Sequence, residues 1–254
     1  MLFTINDELS NKYSKIKVVG DLHGDLDSFH AIRKYFNKDN DILIFLGDYA
    51  DRGDSGLEII EELFRWQKEG HENIILLKGN HELYSPGGVP GFRPCDLIDE
   101  AVLKRGSWES FFENTMHPFL SRLYHAAILP GEILFVHAGV SSELTQIENL
   151  ENPDKALERN LLWSDPTEED ITERFNATRG EGVVFGNKLT AEICRKLGVK
   201  KIIRSHQPLL ADQEPSIMHE GRLITTQTTS SYHGKPYLLE IPVDMPGEWK
   251  KTEL

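Results

Sequence analysis

The sequence predicts an α/β fold, and three observations support this prediction. Three short apolar runs rich in β-branched residues, at 16–20, 41–47 and 73–78, are typical of strands buried in a parallel sheet. Two amphipathic segments with helical spacing separate these runs. The chain has 254 residues, of which 39% are hydrophobic, and this is enough for a sizeable core. The βαβαβ order implies right-handed crossovers, so all three strands should end at the same edge of the sheet.

The two helices between these strands have recognisable ends. The first covers about 26–36 and carries Phe29 and Ile32 at helical spacing. The second starts after Ser55, a residue type that caps helix N-termini, and it stops at Gly70, a common C-terminal residue. These boundaries define the parallel part of the predicted fold.

The remaining chain predicts a mixture of helices and strands. Proline and glycine dominate the segment 84–95, which we expect to be a surface loop near the functional site. Helices are predicted at 96–105, 107–123, most of 141–161 and 187–197, and strands at 126–129, 132–136, 201–204, 215–219, 222–228 and 236–242. The residues after 242 are expected to form a polar tail. Because no repeat or linker-like stretch interrupts the chain, we expect a single domain, 1–254.

The composition argues against several classes of function. The formal charge of -13 would repel a polyanion, which argues against a nucleic-acid partner. The chain has neither an apolar run of membrane-spanning length nor the basic and apolar regions of a signal peptide. Cys95 and Cys194 fit neither a disulfide framework nor a zinc ribbon, and they suit a reducing cytosol. We therefore expect a cytoplasmic protein with no membrane partner, and the oligomeric state stays open.

Residues that can bind metal ions follow directly after most of the predicted strands. They are Asp21, His23, Asp48, Asn80, His137 and His206. Oxygen and nitrogen donors without thiolate suit Mn, Fe or Zn better than calcium. Six donors exceed what one catalytic ion takes from a protein, so we expect two ions with Asp48 as the bridge. Such a pair can hold a bridging hydroxide and clamp the attacking and leaving oxygens of a phosphoryl transfer.

The segment from Asp48 to Arg52 concentrates charge at one strand end. It contains two carboxylates, of Asp48 and Asp51, and one guanidinium within five residues. A divalent metal at the carboxylates and a phosphate at Arg52 would compensate these charges. This pattern predicts a phosphate-binding site beside the metal site.

Three motifs in a fixed order resemble those of a known family. They are Gly20-Asp21-Leu22-His23-Gly24, Gly47-Asp48-Tyr49-Ala50-Asp51-Arg52-Gly53 and Gly79-Asn80-His81-Glu82. They resemble the GDxHG, GDxxDRG and GNHE motifs of the calcineurin-like metallophosphoesterases and, more narrowly, of the PPP-family serine/threonine protein phosphatases. The resemblance extends through Trp163-Ser164-Asp165-Pro166, Arg179-Gly180 and Arg204-Ser205-His206-Gln207. Ala138, where eukaryotic members have a second glycine, is more similar to the prokaryotic type.

The resemblance implies the architecture and the metal ligands. It implies a four-layer α/β/β/α fold, in which two packed mixed sheets are flanked by helices. The implied activity is that of a metal-dependent phosphoprotein phosphatase with two divalent ions, Mn²⁺ first and Fe or Zn as alternatives. Asp21, His23 and Asp48 would hold one ion, and Asp48, Asn80 and His137 the other. Which ion His206 serves stays open.

The resemblance also implies roles for the residues that face the substrate. Arg52 and Arg179 would grip the phosphate through their planar forks. His81, oriented by Asp51, would protonate the leaving alkoxide as a general acid. Asp165 would orient a ligand or an arginine.

Other interpretations of these residues are available from the sequence alone. A single aspartate after a strand is more often a helix cap, a single histidine is more often structural, and Arg179 fits an ordinary surface position. Tyr232 is a candidate for the tyrosine that PPP-family members carry at the rim of the site, although the surrounding residues differ from the family motif. The alternative functions are a diadenosine tetraphosphatase-like or other small-nucleotide hydrolase and a non-catalytic scaffold. The phosphoester itself, in a protein or a small molecule, is the expected substrate.

Overall fold

The strands form three sheets, and the helices cover the outer faces of the two large ones. The computed structural model describes residues 1–254. The strands are β1 (Leu2–Thr4), β2 (Lys15–Val19), β3 (Asp41–Phe45), β4 (Ile74–Leu76), β5 (Ala126–Leu129), β6 (Ile133–Val136), β7 (Asp165–Pro166), β8 (Glu173–Phe175), β9 (Val183–Phe185), β10 (Lys201–Arg204), β11 (Ser216–Met218), β12 (Leu223–Thr225), β13 (Tyr237–Pro242) and β14 (Lys250–Glu253). The helices are α1 (Asp7–Lys12), α2 (Leu26–Tyr35), α3 (Gly56–Glu69), α4 (Leu97–Arg105), α5 (Trp108–Phe111), α6 (His117–Leu120), α7 (Lys155–Trp163) and α8 (Asn187–Leu197). None of these helices has the length and apolar character that crossing a membrane requires.

The five-stranded sheet contains the predicted βαβαβ unit. Its strand order is β14-β13-β2-β3-β4. β2 runs parallel to β3, with Val19 opposite Phe45, and β3 runs parallel to β4, with Phe45 opposite Leu76. Every residue of β3 is buried, as expected for a central strand that is covered on both faces. The predicted parallel unit is confirmed, and its three strands end side by side.

The six-stranded sheet has the order β1-β5-β6-β10-β12-β11. β5 and β6 form the predicted antiparallel hairpin. β10 lies between β6 and β12 and is parallel to both. β6 and β10 therefore end at the same edge, and His137 and His206 follow them there.

The two large sheets pack face to face as the inner layers of a four-layer structure. The alternation along β3 shows this arrangement. Ile42 and Ile44 pack with Phe135 of β6 between the sheets, whereas Leu43 and Phe45 pack beneath α2, α3 and the helices that follow β4. A third cluster lies between the outer face of the six-stranded sheet and helices α7 and α8. The predicted fold of two mixed sheets flanked by helices is confirmed.

The structure contains short elements that the sequence does not predict. β1 pairs with β5, and β14 pairs with β13, so the expected polar tail includes an edge strand. β7, β9 and β8 form a small third sheet in an acidic stretch. Strands of two to four residues have no readable period, and they depend on partners that are distant in the sequence.

Two helix predictions need correction. The segment 107–123 is helical from 108 to 120, but a π-helical turn interrupts it at Phe112–Met116. The expectation of mostly helical structure at 141–161 holds for about half of the segment: the 3₁₀ turn Ile147–Leu150 and most of α7 lie there, whereas 141–146 and 151–154 are not helical. Pro153 disfavours a helical conformation of the residue before it, and Asp154 caps α7 instead.

We predict that Asp41→Asn lowers the free energy of unfolding by about 3 kcal/mol, because it leaves a buried ammonium without its partner. Nζ of Lys17 lies 2.9 Å from Oδ2 of Asp41, and both side chains are buried. Asp39→Asn is the control, because Asp39 is exposed, and it should change the stability by less than about 0.5 kcal/mol. Urea denaturation measures both variants, and equal stabilities would contradict a structural role of this ion pair.

Candidate metal centre and active site

The six predicted metal-binding residues all lie at the edge where strands of both large sheets end. Each follows a strand of the five-stranded or the six-stranded sheet, and each is buried. They are Asp21 and His23 after β2, Asp48 after β3, Asn80 after β4, His137 after β6 and His206 after β10. Because the sheets face each other, their strand ends meet at one place, and the structure brings all six residues together there.

Asp48 lies at the centre of this group. Its Oδ2 is 3.6 Å from Nε2 of His23, and its Oδ1 is 3.5 Å from Nε2 of His137. Nε2 of His137 is also 3.0 Å from Oδ1 of Asn80 and 3.2 Å from Nδ1 of His206. The two oxygens of Asp48 therefore face different histidines, Oδ2 facing His23 and Oδ1 facing His137.

Two buried polar atoms of the group have no hydrogen-bond partner within the protein. They are Oδ2 of Asp21 and Nε2 of His206. Oδ1 of Asp21 accepts the backbone N–H of His206 at 3.0 Å, and its Oδ2 is 3.9 Å from Nε2 of His23. A buried polar atom without a partner costs free energy. A divalent cation bound by Oδ2 of Asp21 would compensate this cost at that atom, so the residues fit a metal centre, whereas Nε2 of His206 faces Asp165 at 3.7 Å.

The backbone orients two of the histidine rings for metal binding. Nδ1 of His23 donates to the carbonyl of Ala50 at 3.1 Å, and Nδ1 of His137 donates to the carbonyl of Leu46 at 3.0 Å. A histidine whose Nδ1–H is engaged in this way presents the lone pair of Nε2. In both residues, Nε2 is the atom that faces Asp48.

Burial keeps the imidazoles in the form that binds metals. It lowers the pKa of His23 to about 4 and the pKa of His137 to about 3, and it holds the pKa of His206 well below its ordinary value. Burial, together with the negative charges of Asp21 and Glu82, raises the pKa of Asp48 well above its usual range. A bound cation would favour the charged carboxylate of Asp48, because an opposite charge stabilises the ionised form.

The backbone has uncommon positive φ angles at three of the predicted metal ligands, where the chain turns after a strand. The φ angle is 45° at His23, 56° at Asp48 and 69° at His206. Left-handed conformations of such residues cost free energy and are concentrated at functional sites. At Gly47 φ is 113°, and a Cβ atom there would lie 2.5 Å from the backbone nitrogen of Gly79. Only glycine fits where these two motif loops touch.

His81 and Asp51 form a hydrogen-bonded pair beside the six predicted metal-binding residues, which we call the donor group. Nδ1 of His81 lies 2.7 Å from Oδ2 of Asp51. The other oxygen of Asp51 accepts the backbone N–H groups of Asp96 and Leu97, at 2.6 and 2.9 Å. Burial alone would raise the pKa of Asp51, but the hydrogen bonds from His81 and from these two backbone groups outweigh it and lower that pKa. The ring of Phe92, from the predicted loop 84–95, packs on His81 with ring centroids 4.5 Å apart.

The two predicted phosphate-binding arginines lie at different ends of the donor group. Arg52 is exposed and adjoins Tyr232, whose hydroxyl feels its positive charge. Nε of Arg179 donates to Oδ2 of Asp165 at 2.9 Å, and Oδ1 of Asp165 is 3.7 Å from Nε2 of His206. Each arginine is linked to a predicted metal ligand through one intermediate residue: Arg52 through Tyr232, which packs against His23, and Arg179 through Asp165, which faces His206.

Sequence reasoning assigns no role to Glu82, although this residue joins two of the motif loops. Its carboxylate accepts the backbone N–H groups of Asp48 at 2.8 Å, Gly79 at 2.9 Å and Tyr49 at 3.1 Å. Burial raises the pKa of Glu82 to about 7. The spacing from Gly79 to Glu82, three residues as in a capping box, is the one sequence signal that could have indicated this function.

Arg204 is a second residue with a supporting role that the sequence does not reveal. Its side chain is fully buried, its Nε donates to the carbonyl of Ala138, and its Nη1 donates to Gln207 at 2.7 Å. Nη2 lies 3.7 Å from Asp165. Burial lowers the pKa of this guanidinium to about 10. Arg204 therefore braces the loops that carry His137 and His206.

The four-layer fold and the buried donor group define a metallophosphoesterase. The family model described as calcineurin-like phosphoesterase matches residues 14–209, and the chain belongs to this family. It thereby belongs to a class of metal-dependent hydrolases that act on phosphoric esters.

Two relatives and one solved structure show which known phosphatases this chain is similar to. A serine/threonine-protein phosphatase of Arabidopsis thaliana is 32% identical over 237 residues, which cover 86% of this chain and 23% of that protein. A serine/threonine-protein phosphatase of Caenorhabditis elegans is 29% identical over 217 residues, which cover 81% of this chain and 46% of that protein. A solved serine/threonine phosphatase from Saccharomyces cerevisiae, described as similar to human phosphatase PP5, has a TM-score of 0.78 at 22% identity. That match covers 100% of this chain and 83% of the solved one, and it shows the fold. The chain spans from 23% to 63% of the length of the curated relatives that it matches.

We predict that Glu82→Gln lowers the free energy of unfolding by about 2 kcal/mol, because an amide offers one acceptor oxygen to three buried N–H groups. Glu72→Gln is the control, since Glu72 is exposed and its carboxylate accepts hydrogen bonds from Lys12 and Tyr13. That change should cost less than about 1 kcal/mol. Chemical denaturation of the metal-free protein measures both. A Glu82 variant as stable as the Glu72 variant would show that these bonds do not hold the loops together.

Proposed function

We propose that this chain is a metal-dependent protein serine/threonine phosphatase, which hydrolyses phosphoserine or phosphothreonine in proteins. The observation that carries the proposal is the buried group of six donors, with the His81–Asp51 pair beside it and an arginine at each end. The names of the relatives support this choice of substrate. The complete set of donors, arginines and proton donor argues against a non-catalytic scaffold, which would need no such combination.

Two divalent ions fit the donor group better than one. The first would be held by Asp21, His23 and Asp48, and the second by Asp48, Asn80, His137 and His206. His206 is placed with the second ion because its Nδ1 lies next to Nε2 of His137. Mn²⁺ is the first choice for such mixed oxygen and nitrogen donors, with Fe or Zn as alternatives. When bound, the ions supply positive charge to the phosphoryl oxygens and activate the attacking water.

The arginines bind the phosphate and hold it against the donor group. Planar guanidinium groups form paired hydrogen bonds with phosphate oxygens, which fixes orientation as well as charge. Asp165 holds the guanidinium of Arg179 before substrate arrives. Because the guanidinium of Arg179 is already ordered, less conformational entropy is lost when the phosphate binds.

His81 supplies the proton for the leaving group. Water attacks phosphorus on the side opposite the serine or threonine oxygen, the phosphorus–oxygen bond breaks, and the released oxygen takes a proton. Nδ1 of His81 is bound to Asp51, so Nε2 is the atom that transfers this proton. A positioned acid of this kind contributes about 10²–10⁴-fold to the rate. Because water attacks directly, no phosphoenzyme forms.

We further propose that residues 1–254 act as one catalytic domain. The donors come from both large sheets, and strands near both ends of the chain lie in these same sheets.

We also propose a cytoplasmic location. Cys95 and Cys194 are unpaired, which supports a protein of a reducing compartment.

We predict that the Mn²⁺-loaded protein hydrolyses a phosphoserine or phosphothreonine peptide faster than diadenosine tetraphosphate. A phosphate-release assay on both substrates measures this preference.

We predict that Asp48→Asn reduces bound metal and lowers the turnover more than about 100-fold, because it removes the proposed shared ligand. Asp54→Asn, an exposed position six residues away, is the matched control and should change neither quantity. Metal analysis and phosphate release measure these effects. Preferential cleavage of the nucleotide would identify a small-nucleotide hydrolase instead, and full turnover by the Asp48 variant would refute its role as ligand.

We predict that His81→Ala loses about 10²–10⁴-fold of the rate on a phosphoserine peptide but less than about tenfold on p-nitrophenyl phosphate. The serine alkoxide needs a proton as it leaves, whereas p-nitrophenolate is a stable anion. The comparison of kcat for the two substrates on the same preparation is the measurement. Equal losses on both substrates would mean that His81 is not the general acid.

A further inference from the structure

A short segment near the C-terminus, 229–233, is tied to the loop that follows β2. The backbone N–H and Oγ of Ser230 both donate to Oδ2 of Asp25, each at 2.7 Å. Oγ of Ser231 donates to the backbone carbonyl of His23 at 3.1 Å. These contacts join regions that are more than 200 positions apart, since Asp25 and Ser230 are separated by 205.

Asp25 is held on its other side by helix α2. Its Oδ1 accepts the backbone N–H of Ser28 at 3.0 Å, and its Oδ2 accepts Oγ of Ser28 at 2.7 Å. This is the N-cap interaction of the helix. The side chain therefore receives four hydrogen bonds in a buried position, and bonds to an ionised acceptor are short and strong. The segment 229–233 is thus anchored to the end of a helix.

The anchored segment carries Tyr232 to the entrance of the donor group. The centroid of its ring lies 5.5 Å from that of His23, in an edge-on arrangement at 62°. Burial raises the pKa of Tyr232, and the positive charge of Arg52 opposes this effect. The tyrosine therefore stands between a metal-binding histidine and an arginine that we assign to phosphate binding, and it keeps part of its surface exposed.

We propose that Asp25 is a positioning residue, which holds Tyr232 at the entrance of the site through Ser230 and thereby sets the affinity for the phosphoester substrate. This inference rests on the proposed phosphatase function. Without the two bonds from Ser230, the segment keeps one direct bond to this loop, from Ser231. Tyr232 then leaves its place beside Arg52 more often, and the substrate loses a contact. The groups that carry out the reaction, His81 among them, are not moved, so the loss falls on binding.

The test compares two serines that donate to the same carboxylate oxygen. Ser230→Ala removes an O–H donor from the segment, and Ser28→Ala removes one from the helix, each at 2.7 Å from Oδ2 of Asp25. We expect Ser230→Ala to raise KM for a phosphoserine peptide about fivefold, with kcat within about twofold of wild type. Ser28→Ala should leave KM within about twofold of the wild-type value. Ser230→Thr, which keeps the hydroxyl at an exposed position, should have the wild-type KM.

Hydrogen exchange in the metal-free protein gives a reading that does not depend on activity. The amides of 229–233 should exchange about fivefold faster in Ser230→Ala, and at the wild-type rate in Ser28→Ala, because only the first variant removes one of the bonds between the segment and Asp25. Unchanged exchange in Ser230→Ala would overturn the anchoring of the segment.

A double variant shows whether the effect passes through the tyrosine. In a Tyr232→Ala background, Ser230→Ala should have no further effect on KM, because the two changes remove the same contact. Independent, multiplying effects of the two changes would overturn the proposal, and so would equal KM values for the two serine variants. A wild-type protein that is inactive on every phosphoester would refute the proposed function and the role in affinity together. In that case, the exchange rates alone still decide whether Asp25 anchors the segment.

Discussion

A carboxylate buried between imidazole nitrogens is the constraint on which this structure depends. Asp48 is 2% exposed and lies between His23 and His137, with the carboxylate of Asp21 close by. In such an environment two carboxylates repel each other, and neutral imidazoles cannot compensate them. Cations would resolve this conflict, since they would pair with the carboxylates and accept the nitrogen lone pairs at the same time. A metal centre therefore explains the arrangement, whereas without cations the buried carboxylates would cost free energy.

The fold holds these donors in place through the loops that carry them. Each donor follows a strand, and the backbone turns sharply there, with positive φ angles at His23, Asp48 and His206. Glu82 binds the backbone of the loops after β3 and β4, and Arg204 braces the loops after β6 and β10. These hydrogen bonds would orient the predicted metal ligands before an ion binds.

Carboxylates also hold the residues that we propose to face the substrate, and this pattern links the site to the rest of the chain. Asp51 holds His81, Asp165 holds Arg179, and Asp25 holds the segment of Tyr232 through Ser230. In each case the carboxylate is buried or nearly so, and the residue that it holds reaches the edge of the donor group. Part of the acidity of the chain thus serves to orient His81, Arg179 and the segment of Tyr232, and is not merely solvated surface.

The sequence by itself determined the strands of the parallel unit, the order of the motifs and the choice of the six residues predicted to bind metal. These features are local: apolar runs such as 41–47 show their period, and the motif residues stand next to each other. Only the tertiary structure decided that His137 and His206 meet Asp48, that Glu82 joins two loops, and that Asp25 reaches Ser230. Those contacts arise from the packing of one sheet on the other and from closure of the chain over some 200 positions. No short window of sequence carries that information, because side-chain partners so far apart are chosen by the whole fold.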